Sequence, residues 1–282
     1  MKTFEEIKKF NPYHGSDGRF TTGAAATSFT IRTKNPAKQG LADKAVEREK
    51  ERTKKMGASG GSISKIKSYD ELDKAAKTIG FKGGITQALR DKVDIQVASR
   101  YLQGVSAVAD EFPEIKDRFN QFSEANSGVA STNGSSVFLN SKHMGKIENA
   151  EKIVKTSTES KYWPQNSSIE SVGAHEAGHC IENALAEINE GAGYYSAVAF
   201  NKGKYSSQIV SQACKNVKKT DYGKGKKNAD LMRGISVQSE RRGKQEAFAE
   251  AFADVYSNRD NANPLSKEIV RLTRVELDKA KQ

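Results

Sequence analysis

The sequence predicts an α+β protein, mostly helical, with a small β-hairpin or sheet and a flexible N-terminal extension ahead of the folded part. Three features of the chain predict this. Apolar residues recur at helical spacing over long stretches after residue 64. An Asn133-Gly134 pair separates two short β-prone segments, a hairpin signal. The first sixty residues instead run from turn-rich to highly charged with few apolar anchors.

Taken in order, residues 11–20 (NPYHGSDGRF) are rich in turn formers, and residues 21–39 are small, polar and aperiodic. Residues 41–56 (LADKAVEREKERTKKM) read as a charged helix too poor in apolar residues to bury a face by itself. The GASGG of residues 57–61 is a flexible break. The division that follows is an extension over residues 1–60 and a folded domain over residues 61–282. Within the domain, residues 69–79 and 86–122 predict two or three helices, with Val93, Val97, Ala98, Leu102, Val105 and Val108 on the apolar face and a break near Pro113. The hairpin follows, then His143 and a polar connection to Tyr162-Trp163-Pro164. Ser167 or Ser168 caps a helix running to about Glu190. Further helices are expected over residues 206–219, 244–257 and 264–281, the last opening on Pro264.

The 282 residues carry a net charge of +11. That surplus leaves an acidic partner or nucleic acid open, but the densest late run, residues 215–227 (KNVKKTDYGKGKK), contains no nucleic-acid-binding motif. No apolar run is long enough for a membrane span, and the N-terminus lacks the apolar core of a secretory signal. Two cysteines, Cys180 and Cys214, make neither a disulfide framework nor a cysteine-based metal site.

The chemistry concentrates in Gly173-Ala-His175-Glu176-Ala-Gly-His179-Cys180. Histidines at i and i+4 lie one turn apart on the same helix face, so their ring nitrogens can converge on one zinc at about 2.1 Å. Glu176 is angled so that its carboxylate reaches a water at the metal without occupying a ligand position. The pattern uses two of the four histidines in the chain. Glu182 shares the helix face of His175, but two turns of helix, about 10 Å, separate them, so the third ligand must come from elsewhere. Residues 245–256 (QEAFAEAFADVY) supply it: Glu246, Glu250 and Asp254 form an acidic stripe on an otherwise apolar helix, and buried carboxylates need compensation. Two registers fit: Glu246 as ligand with Glu250 on the far nitrogen of a ligating histidine, or Glu250 as ligand with Asp254 behind it. Phe248 and Phe252 read as core.

His-Glu-x-Gly-His followed by Glu-x-Phe-Ala-Glu-Ala-Phe resembles the catalytic domain of anthrax lethal factor-like peptidases, which are gluzincins. The resemblance covers residues 162–257, about a third of the chain. It implies a zincin-like fold, one Zn2+, metal ligands His175, His179 and Glu246, a general base Glu176, Glu250 supporting from behind, and zinc-dependent endopeptidase activity on a protein or peptide substrate. The family carries a tyrosine shortly before its ligand glutamate as an oxyanion donor. Residues 235–245 hold none, so Gln238, Ser239, Arg241 or a more distant Tyr222 must substitute, or the rate must suffer.

The N-terminal FNPYHGSDGRF is similar to a short tag of bacteriophage head-associated proteins, and the NANPLSKEIV of residues 261–270 to the tails of phage minor head proteins. These likenesses imply a phage or prophage protein made in the bacterial cytoplasm, associated with the virion or delivered into a host, with head or portal proteins as partners of the N-terminal segment. His14 reads as a turn residue of that tag. A non-catalytic phage adaptor with a zinc-stabilised fold is the rival expectation, and Glu176 separates the two, since a structural site has no use for it. For the peptidase, residues 129–131 or 137–139 are expected to form the edge strand against which substrate extends.

Overall fold

The computed structural model describes residues 63–125 and 127–279. The expected extension over residues 1–60, with its tag, His14 and charged helix, lies outside the described residues. What is described is mostly helical with one small sheet, as the sequence predicts.

The chain enters through α1 (Tyr69–Ile79), whose Ser68 cap accepts from the Glu71 amide at 3.3 Å and whose end is closed by Gly80 at φ +126°. Then come α2 (Gln87–Lys92) and α3 (Ile95–Glu111). The helical expectation for residues 86–122 stops short there. Pro113 starts a 3₁₀ segment (Pro113–Arg118), and Phe122–Ala125 is a strand, β1. Phe122 fits a helical tally by spacing, but its ring stacks on Tyr101 of α3 at 5.2 Å from within the sheet. Four residues are too few for a strand period to show against the preceding helical pattern.

β2 (Ala130–Thr132) and β3 (Val137–Asn140) form the expected hairpin. Gly134 takes φ +92° at its tip, and the Asn133 side-chain oxygen accepts from the amides of Ser135 and Ser136 at 3.1 and 2.8 Å. The order is β1-β3-β2, with β1 parallel and β2 antiparallel to β3. β3 is therefore central and paired on both sides, which removes residues 137–139 as an edge strand and leaves β2.

After α4 (Ser141–Met144), α5 (Ile147–Glu159) occupies what reads in the sequence as a polar connection; only Ala150 and Val154 of it are buried, too little apolar signal to mark a helix. α6 (Ile169–Glu190) carries the histidine motif and starts on Ser168, with reciprocal Ser168–Ser171 capping bonds. α7 (Tyr194–Asn201), α8 (Lys204–Val217), α9 (Asn228–Arg233) and α10 (Val237–Arg242) lead to α11 (Lys244–Asn258) and α12 (Pro264–Lys279). Asp254 accepts from Asn258 Nδ2 at 2.7 Å and the Asn263 amide at 2.8 Å, tying the end of α11 to the turn into α12.

α6 is the central element, packed on α3 along one side and α11 along another, with the β2–β3 hairpin against a third. Three glycines permit this. A Cβ on Gly173 would lie 2.0 Å from the Tyr101 carbonyl oxygen, and one on Gly104 1.7 Å from that of Glu170, so α3 and α6 touch backbone to backbone. A Cβ on Gly178 would come within 3.0 Å of Ala249 Cα and the Phe252 ring, so the same helix meets α11 closely, where Ala247, Ala249 and Ala251 are buried. Arg100 of α3 then clamps the first turn of α6 through two bonds to Glu170, at 2.7 and 3.0 Å.

Alanine in place of an interior helix glycine ordinarily stabilises by about 1 kcal/mol. At Gly173 the sign reverses, because the obstacle is backbone and cannot rotate away. Gly173→Ala is expected to cost about 1–3 kcal/mol, the range for overpacking, read as a lowered midpoint in denaturant. An unchanged or raised midpoint would mean that the two helices separate without penalty.

Candidate metal centre

The α6–α11 contact brings His175, His179 and Glu246 together. One ligand-type atom from each lies within 4.8 Å of the others. His175 Nε2 is 3.6 Å from Glu246 Oε2, and His179 Nε2 is 4.0 Å from Glu246 Oε1. The two rings stand at 78° with centroids 5.0 Å apart, so their edges converge. A tetrahedral zinc with bonds of about 2.0–2.1 Å holds its ligand atoms about 3.3 Å apart. The donor set of two imidazole nitrogens and one carboxylate is one that zinc takes, at spacings that would have to close from 3.6 and 4.0 Å.

The three donors are held from behind. His175 Nδ1 faces Glu250 Oε1 at 3.4 Å, and Glu250 is 1% exposed. Glu246 thus stands on the Nε2 side of His175 and Glu250 on the Nδ1 side, while Asp254 accepts from Asn258 and Asn263. His179 Nδ1 faces Glu182 Oε2 at 4.0 Å. Glu246 is steadied by Gln238, whose side-chain amide donates to Oε2, and Trp163 Nε1 in turn donates to Gln238 Oε1 at 3.0 Å. The Lys161–Tyr162 strand of chain is fastened to α10 by bonds from the Val237 and Gln238 amides at 2.9 and 3.1 Å.

Charge follows from this crowding. Burial pulls His175 down, but the carboxylates of Glu250, Glu176 and Glu246 outweigh it and lift the ring from 6.5 to about 9. Burial pushes Glu246 up, and the two histidines more than offset it, leaving the group below the usual carboxylate range. Glu176 and Glu250, more deeply enclosed, stay above that range, because burial exceeds the attraction of the histidines.

A cavity of about 320 Å³ opens at the site. His175, Glu176, Gln238 and Glu250 line it on one side, and Val129 and Ala130 of the hairpin on another. Tyr162, Trp163, Arg242 and His143 also line it. Of the four substitutes expected for the missing tyrosine, Gln238 reaches the cavity but spends its amide on Glu246. The Ser239 hydroxyl pairs with Ser236 at 2.9 Å, and the Tyr222 hydroxyl accepts from Asn263 at 2.8 Å. Neither Ser239, Tyr222 nor Arg241 lines the cavity.

Sequence reasoning misses the Trp163–Gln238–Glu246 chain, which joins residues 75 apart with no periodic signal, and the places of Tyr162, His143 and Arg242. Glu182 had a usable signal in its spacing of three from His179, which puts it one turn along the same face.

No family model, curated protein or solved structure matches this chain.

Glu250→Gln keeps the volume and removes the charge nearest Nδ1. His175 in the metal-free protein should then titrate at a lower pH than about 9, read from its ring-proton shift by NMR. The folded value lies above 6.5, so this pairing contributes stability in full below pH 6.5 and loses it as pH rises through about 9. The substitution should flatten that loss. A midpoint that does not move would remove Glu250 as the cause.

Proposed function

We propose that this protein is a zinc-dependent endopeptidase of the lethal factor-like gluzincin kind, with a zincin-like domain. The observation that carries the reading is the convergence of His175, His179 and Glu246 on one point, with Glu176 in the wall of the adjoining cavity. His175, His179 and Glu246 would hold the ion. Zinc bound there supplies a Lewis acid that polarises a peptide carbonyl and makes water a better nucleophile near neutral pH.

The chain's own residues do the rest. Glu176 takes a proton from the attacking water on a carboxylate oxygen and returns it to the leaving amine nitrogen. Its enclosure raises its affinity for that proton, which suits the uptake step. Tyr162, Arg242 and His143 present donor groups at the cavity wall for the carbonyl oxygen as it gains charge. Trp163 and Gln238 hold Glu246 in its orientation.

The hairpin provides the track for substrate. The Val129 carbonyl accepts from the Asn140 amide at 3.1 Å, so by the alternation of an antiparallel ladder the N–H and C=O of Ala130 point away from β3. No strand pairs with that edge of β2 among the described residues. Ala130 also borders the cavity, so an extended peptide added there passes Glu176. The N-terminal tag adds the proposal that the peptidase is phage-encoded and docks on head or portal proteins. No described helix is long and apolar enough to cross a membrane.

Two measurements test this. Wild type and Glu176→Gln should each hold about one zinc per chain, with casein cleaved by wild type and slowed at least about 100-fold in the variant. Zinc in both with equal cleavage would take Glu176 out of the reaction, and no zinc in wild type would end the reading. Ala130→Pro, which removes the outward amide, should raise KM for peptide substrates several-fold at unchanged zinc content. An unaltered KM would mean that substrate does not add to β2.

A further inference from the structure

Glu182 is a buried carboxylate that the reaction above does not use. It is fully enclosed, on the fourth turn of α6, in a stretch where Cys180, Ile181, Ala184 and Leu185 are also buried. No lysine or arginine pairs with it among the described residues. Its Oε2 accepts from Gln245 Nε2 at 2.9 Å and its Oε1 from the Ser206 amide, in the first turn of α8, at 3.3 Å. Gln245 is held in turn, donating also to the Phe200 carbonyl at 2.9 Å. Two neutral donors do not offset the burial of a full negative charge. His179 Nδ1 lies 4.0 Å from Oε2.

The arrangement repeats on the second histidine what Glu250 does on the first. Each imidazole turns Nε2 toward Glu246 and Nδ1 toward a buried carboxylate. The supports come from different places: Glu250 from α11, Glu182 from the motif helix itself. At 4.0 Å the contact is in ion-pair range and longer than a hydrogen bond. A carboxylate on the Nδ1 side orients the ring with Nε2 toward Glu246, the orientation a ligating histidine requires.

We propose that Glu182 is the positioning residue for His179, kept in place by Gln245 and the first-turn amide of α8, and that it raises the affinity of the centre for a divalent metal. The inference rests on the zinc reading of His175, His179 and Glu246. It extends the support of the metal beyond α11 to the α7–α8 turn, since Gln245 and Ser206 link Glu182 to Phe200 and to the start of α8.

The test is zinc affinity, measured by competition with a chromophoric chelator on the full chain, with the metal-free melting midpoint and the visible spectrum of the cobalt-substituted protein alongside. Glu182→Gln keeps the shape and removes the charge. It is expected to weaken zinc binding about 10- to 100-fold, the range for supports behind metal ligands, and to shift the cobalt bands. A residue that merely caps α8 would lower the midpoint and leave affinity and spectrum where they were, and that result overturns the proposal. Should Glu182→Gln fail to fold, Gln245→Met leaves the carboxylate and removes the amide that holds it; affinity several-fold weaker supports the role, and unchanged affinity overturns it. Wild type without zinc affinity would sink the metal reading itself, whereas tight binding by wild type and Glu182→Gln alike sinks only the role of Glu182.

Discussion

The structure depends on how closely α6 approaches its neighbours. At Gly173 and Gly104 the separation between helices is set by backbone meeting backbone, and at Gly178 by backbone meeting Ala249 and the Phe252 ring. A helix so enclosed cannot slide or roll without collision, so its side chains are aimed by its surroundings. That is why a carboxylate as short in reach as Glu246 can meet both histidines from a different helix. The apolar residues of α11 serve the same end: Phe248 and Phe252 are fully buried and pack on each other at 5.3 Å, fixing the register in which Glu246 and Glu250 face α6.

Such rigidity is what allows the electrostatics. Glu176, Glu182, Glu246 and Glu250 gather around two imidazoles in a space largely closed to water. Four carboxylates against two histidines is an excess of negative charge, and a low-dielectric interior makes such an excess costly. The metal-free protein answers in part by holding a proton on His175 up to about pH 9 and by raising Glu176 and Glu250. A divalent cation would answer it more fully, and this is the physical argument beneath the proposed zinc. The one partly open acid of the four is Glu246, 21% exposed, and it is the acid that the Nε2 atoms of both histidines face.

Much of the centre was legible beforehand because helices carry their geometry in their spacing. Residues four apart share a face whatever surrounds them, so His175 with His179, and Glu246 with Glu250, could be paired without a structure. Ser168 and Pro264 announced two helix starts for equally local reasons. The misses were of the opposite kind. β1 is defined by pairing with β3, fifteen residues later in register, and α5 buries too little to leave a pattern. Residues 137–139 and 129–131 looked alike as edge candidates, since a strand's place in a sheet is a property of its neighbours.

The sequence by itself determined which side chains could form the centre: two histidines and a base on one helix, and a stripe of acids on another. Only the tertiary structure decided which acid meets Nε2 of His175 and which Nδ1, because that placement depends on the rotation of α11 against α6, set by packing at Gly178, Ala249 and Phe252. It also decided that Gln238 steadies Glu246, that Glu182 faces His179, and that β2 borders the cavity. These are contacts between distant parts of the chain. Local spacing carries no record of them, because they arise only when whole elements close on one another and exclude water.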